Sequence, residues 1–217
     1  IICLRKNLDI LRVRRMMPVN NFRKLLLIGY IVAAFLIVNA VMANEPYRGH
    51  IPDPVQTDLA EHKTETVSGE EGDVELTLLA EYVVEGVVKG TKKYADYPSQ
   101  VAKYDFALAW GDLNKSEIDE HIKYSQSGRW CHYQFSPECH VDQQYISTHS
   151  ANVHLIHQNQ EILRQIKKVR KNDHVQLGGY LVEVHFKDGP WKSSLTRTDT
   201  GNGACEIMYV TRVTVKS

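Results

Sequence analysis

The sequence predicts an α+β, β-rich fold: a small curved sheet or barrel-like domain with one or two helices, preceded by a single transmembrane helix or signal sequence. Three observations predict it. A nearly unbroken apolar run, Leu25 to Ala43, follows a basic segment. From Leu76 onward, stretches rich in β-branched and aromatic residues alternate with Gly-, Pro- and Asn-containing turns. Beyond the apolar run, clear amphipathic helical periodicity is confined to the segment after Asn159.

The apolar run, LLLIGYIVAAFLIVNAVMA, would extend about 28 Å as a helix, close to the ~30 Å hydrocarbon core of a bilayer. Arg5, Lys6, Arg12, Arg14, Arg15, Arg23 and Lys24 precede it against the single acid Asp9, and Glu45 follows it. The positive-inside rule puts the N-terminus in the cytoplasm and the remainder outside. Two readings stay open. Residues 25–43 are a membrane anchor, giving a single-pass inner-membrane protein with its C-terminal domain outside the cytoplasm. Alternatively they are a signal sequence cut after Ala43, where Val41-Met42-Ala43 supplies small residues, giving a secreted or periplasmic protein. Met16-Met17 reads as a more natural start, so residues 1–15 read as an upstream extension of the basic segment 1–24.

Formal charge sums to zero, but unevenly. Seven of the 26 basic residues and one of the 26 acidic ones lie in residues 1–24, leaving 19 basic against 25 acidic beyond them. That acidic surplus argues against nucleic acid or anionic lipid as a partner. The expected partners are the membrane, through residues 25–43, and an envelope protein if Tyr30 and Asn39 mark a packed face of the span.

Residues 44–73 carry three prolines, scattered acids and an SGEEGD run, and read as a flexible tether before a domain at 74–217. TLLAEYVVEGVVKG predicts one long strand, or two, bending near Gly86. Asn114-Lys115-Ser116-Glu117 resembles a capping box opening a helix to about Ile122. SGRWCHYQF and QQYISTHSANVHLI read as strands around a Ser-Pro turn. Asn159 caps a helix with Ile162, Leu163, Ile166 and Val169 on one face. In VQLGGYLVEVHF the apolar positions switch from odd to even, which predicts a bulge permitted by Gly178-Gly179. The closing strand CEIMYVTRVTV puts Ile207, Tyr209, Val213 and Val215 on one face.

Two polar clusters offer chemistry. One runs from Thr148 to His154 with His157 beyond; the other runs from Ser193 to Cys205. From them the candidate binding residues are His149, Asn152, His154, Ser193, Ser194, Arg197 and Asp199. No metal or cofactor is expected, because neither strand nor helix periodicity converges His149, His154 and His157. Cys131 and Cys139 flank a short loop and form a disulfide candidate in an oxidising compartment. Cys205 follows a Gly-rich loop, with a His some fifty residues upstream and Arg197 nearby: parts a cysteine nucleophile uses.

The order His149, helix, turn, strand, Cys205, strand resembles sortase-type transpeptidases. The resemblance implies Cys205 as nucleophile, His149 as acid/base and an Arg at the site, for which Arg197 is the candidate. Sortases place a Thr-rich stretch directly before the Cys; here Gly201-Asn202-Gly203-Ala204 stands there. The residues Ala109-Trp110-Gly111, Ser125 to Arg129, His149 to Leu155, Val169-Arg170 with Asp173, and Ser193 to Arg197 through Glu206 carry a second resemblance. It is to an uncharacterised bacterial family with one N-terminal hydrophobic segment and a single exported domain. That resemblance implies location and architecture without an activity. The expected function is therefore an extracytoplasmic binding or scaffold module, with a cysteine-dependent hydrolase or transpeptidase as the alternative.

Overall fold

The computed structural model describes residues 24–34, 45–199 and 204–216. Residues 24–34 are helical (α1). Among the described residues no helix is long and apolar enough to cross a membrane; residues 35–43 of the expected span lie outside them. The chain divides into two compact units, Ile1–Ala43 and Asn44–Ser217, and the second carries the sheets.

Among the described residues nine strands build this second unit: β1 (Val55–Gly69), β2 (Gly72–Lys93), β3 (Tyr104–Ala109), β4 (Ile122–Ser127), β5 (Trp130–Phe135), β6 (Ser150–His157), β7 (His174–Phe186), β8 (Gly189–Lys192) and β9 (Glu206–Lys216). Three α-helices join them: α2 (Ser116–Asp119), α3 (Gln143–Thr148) and α4 (Gln160–Lys168). The main sheet runs β1-β2-β3-β6-β9-β7-β8, and an additional β2–β7 pairing closes β2, β3, β6, β9 and β7 into a ring. Within it β6 and β9 run parallel and every other pair antiparallel. Helix α4 connects β6 to β7. The ring thus has one parallel contact and a helix after its third strand.

The long second strand makes closure possible. Along one edge β2 pairs first with β1 and then with β3, while its other edge pairs with β7. The register slips between Leu78 and Ala80 against β7 and between Val88 and Gly90 against β3. Such bulges bend a strand sharply enough to serve two sides of a barrel. A third slip lies between Gly178 and Gly179 against β9, where the extra residue is Thr211; the switch of apolar face falls between Leu181 and Val182, opposite the Leu78–Ala80 slip. A side chain at Gly179 would put its Cβ 2.0 Å from the Tyr209 carbonyl oxygen, so only Gly lets the two strands meet.

The ring interior is apolar. Tyr82, Phe106, Leu108, Val153, Leu155, Leu177 and Met208 fill it, with Ile162 and Ile166 of α4 packed against them. Asn159 caps α4 as expected, its side chain accepting from the backbone N–H groups of Glu161 and Ile162.

Four expectations differ. The tether is interrupted, because Val55–Gly69 is a strand hydrogen-bonded to β2; its polar texture reflects an edge strand with one well-paired side. Gln143–Thr148 is a helix, capped by Asp142, whose side chain accepts from the Tyr145 N–H. The capping box does not form: the cap of α2 is Lys115, and the Asn114 side chain donates instead to the Ala109 carbonyl. In β9, Met208 and Val210 face the ring interior with Val213, while Ile207 and Tyr209 face a second apolar cluster.

Candidate functional site

Alternation along β3 and β6 sets the site. Asp105 and His154 are directly opposed, as are Ala107 and Asn152, and residues two apart on a strand share a face. Phe106, Leu108, Val153 and Leu155 point inward. Asp105, Asn152 and His154 therefore stand on the outer face, and all three are buried. The β4–β5 hairpin, inserted between β3 and β6 in the chain, covers Asp105 and Asn152, and the Trp191 ring lies 4.8 Å from that of His154.

The tip of that hairpin is Gly128-Arg129, with φ of 55° and 70°. Two positive φ values make the tight turn that matches strand twist. Gly takes that conformation freely, whereas Arg does so at a cost that surrounding contacts must offset. The contacts are complete. Arg129 Nε donates to Asp96 Oδ2 at 2.9 Å, and Nη2 donates to Asp96 Oδ1 at 2.5 Å and Ser99 Oγ at 2.9 Å. Its Nη1 donates to the Ala102 carbonyl at 2.8 Å and to Asp105 Oδ1 at 2.9 Å. These five bonds match the five guanidinium protons. The same guanidinium lies 4.3 Å from the Tyr94 ring centroid. Arg129 and Ser99 together hold the Asp96 carboxyl down at about 2.

Asp105 is met from three sides. Besides Arg129, the Asn152 side-chain amide donates to its Oδ2 at 3.0 Å and to the Arg129 carbonyl at 2.9 Å, while accepting from Gln126 at 2.8 Å. His154 Nδ1 lies 2.8 Å from Asp105 Oδ2, off the line of a hydrogen bond. A buried carboxylate is tolerable only with such partners.

Two cavities open beside this network. One, of about 250 Å³, is lined by Arg129, Trp130, His154, Trp191, Lys192 and Cys205 among others. The other, of about 260 Å³, is lined by residues including Trp130, Gln143, Ser147, Asn152, Asp199 and Cys205. Trp130 and Cys205 belong to both. The pair lies between the loop joining β2 to β3 and the segment joining β7 to β9, over the outer face of β3 and β6.

Of the residues picked from sequence, Asn152, His154, Asp199 and Cys205 meet here. Ser193 is structural: its Oγ donates to the Ser194 carbonyl and accepts from the Ile207 N–H. Ser194 Oγ donates to Asp199 at 2.7 Å and accepts from the Thr196 N–H. Arg197 is turned toward the barrel, on Glu206 and the Tyr82 hydroxyl. Burial pushes the Glu206 carboxyl up to about 7, Arg197 opposing the rise. His149 stacks on Tyr145 at 3.8 Å, with Nδ1 at 2.9 Å from the Tyr145 carbonyl and Nε2 at 3.6 Å from Asp53. Neither His149 nor Arg197 contacts Cys205 among the described residues. Burial, first of all, and then Glu206 and Asp105 push the Cys205 thiol up to about 12. Cys131 and Cys139 are free thiols, with no bond between them. No cluster of three or more metal-ligating side chains occurs among the described residues.

Sequence reasoning missed Arg129, Asp105, Trp130 and Trp191. The available signal was Gly128-Arg129 between two strands, a two-residue turn with a cation where Gly or Asn is usual. No family model, curated protein or solved structure matches the chain.

Proposed function

We propose that this chain is a binding module held outside the cytoplasmic membrane by residues 25–43, and that its ligand lies along the paired cavities at Trp130. The carrying observation is that one indole, Trp130, walls both cavities. A ligand spanning the two would stack on that ring, with Trp191 on one side and the neutral hydrogen-bonding groups of Gln143, Ser147 and Asn152 on the other. The ring order resembles that of OB-fold barrels, which take oligonucleotides and oligosaccharides on the strand pair that corresponds to β3 and β6, and the acidic surplus beyond residue 24 disfavours the former. The ligand class is thus a polar chain, an oligosaccharide of the cell envelope.

The cysteine-dependent alternative has less support. Cys205 has cavity access, but a thiol pushed up to about 12 is a poor nucleophile at neutral pH.

The test is tryptophan fluorescence of the full chain in neutral detergent, titrated with N-acetylglucosamine tetramer and with a glucose tetramer. A saturable change with one of them, lost in Trp130→Ala and retained in a variant at the distant Tyr47, supports the reading. No change with either sugar, while the chain stays folded, removes it. Alkaline phosphatase fused after Ser217 tests the location: activity in intact cells is expected, and its absence overturns export.

A further inference from the structure

A second pocket carries chemistry of its own. About 520 Å³ in volume, it is lined by Arg48, Lys89, Lys123, Lys171, Asp119 and Tyr124 among others. Four cations thus face one carboxylate, in a region of chain where acids outnumber bases by 25 to 19. Asp119 is already shared, accepting from Lys89 Nζ at 2.6 Å and from Arg48 at 2.8 Å. Lys123 and Lys171 have no acidic partner within ion-pair distance among the described residues. Lys89 is held in place by burial, its side chain only 5% exposed.

We propose that this pocket binds a phosphate group. Its net surplus of three positive charges suits a compact polyanion better than a single carboxylate, and Lys and Arg donors together match phosphate oxygens. The carboxylate of Asp119 spaces Lys89 and Arg48 while consuming one unit of that charge. Two sources share this chemistry. Pro46, which also lines the pocket, follows the apolar run by three residues in sequence, so an anionic lipid headgroup is one. Free phosphate or a phosphomonoester is the other.

The experiment is calorimetric titration of the full chain in neutral detergent with inorganic phosphate and, separately, with glycerophosphoglycerol, the diester headgroup of an anionic lipid. Acetate is the control. Saturable binding of either phosphorus compound, weakened at least tenfold in the surface double variant Lys123→Gln/Lys171→Gln, is expected. Tighter binding of the diester assigns a lipid source, and tighter binding of inorganic phosphate a soluble one. The proposal is overturned if neither binds, if acetate binds as tightly, or if the double variant binds undiminished. Lys89→Met, which keeps the buried stem, serves as a second variant and is expected to abolish binding.

Discussion

Asp105 has no accessible surface and receives Arg129 Nη1 at 2.9 Å from a hairpin tip 24 residues further along the chain. The pair ties an insertion to the barrel face that the insertion covers. The second Arg129 branch ties both to the loop carrying Asp96 and Ser99.

Removing one partner should be far worse than removing a surface ion pair. Asp105→Ala leaves a guanidinium over a dry face without its inner acceptor, and such breaks cost about 3–5 kcal/mol. Urea unfolding should show that loss, and Lys103→Ala, at an exposed pair with Glu70, should change stability by less than ~1 kcal/mol. Equal losses would mean the clamp is ornamental.

Gly179→Ala should destabilise by at least ~3 kcal/mol, because the new methyl meets a carbonyl 2.0 Å away that neighbouring hydrogen bonds hold fixed. At Gly178 the obstruction is the far end of Arg212, which can swing out. Gly178→Ala should therefore lose less than half as much. Thermal unfolding of the two variants decides it.

How much of the fold and site was legible depends on whether the cause was local. A break in the pairing of β7 could be read because the apolar alternation changes face between Leu181 and Val182. The α4 helix could be read because Asn159 and Ile162, Ile166 and Val169 agree within three turns. Asp105 could not: an acid inside YDFALA reads as a solvent-facing position, and its partner lies across a folded-back insertion. The α3 segment has too few turns to display a period, so its cap Asp142 was the only cue. Ser193, Ser194 and Arg197 looked like a ligand cluster because polar density does not reveal whether hydroxyls turn outward or stitch the backbone.

Cys205 should resist alkylation. A shift from 9 to about 12 lowers the thiolate fraction near neutrality by ~1,000-fold. Iodoacetamide labelling at pH 8, read by peptide mass spectrometry, should be at least ~100-fold slower in the native chain than in urea. Comparable rates would return the thiol to candidacy as a nucleophile.

Glu206 should make stability fall with rising pH. Its native carboxyl titrates near 7 against an ordinary 4.5, so the folded state holds a proton that the unfolded chain has released. The group's stabilising contribution is complete below about 4.5 and is lost as pH climbs through about 7. Glu206→Gln keeps an acceptor for Arg197 and removes the titration. Its Tm should be flatter between pH 5 and 8 than that of the parent, and parallel profiles would reject the assignment.

The place of β9 between β6 and β7 bears on how the protein is made. Those two neighbours leave the ribosome well before it does, each with a bare edge of unpaired amides and carbonyls. Until Glu206–Lys216 arrives, a nascent chain is an open ribbon able to recruit other ribbons. Premature termination ahead of Glu206 should thus yield insoluble aggregates in place of a weakened but soluble product.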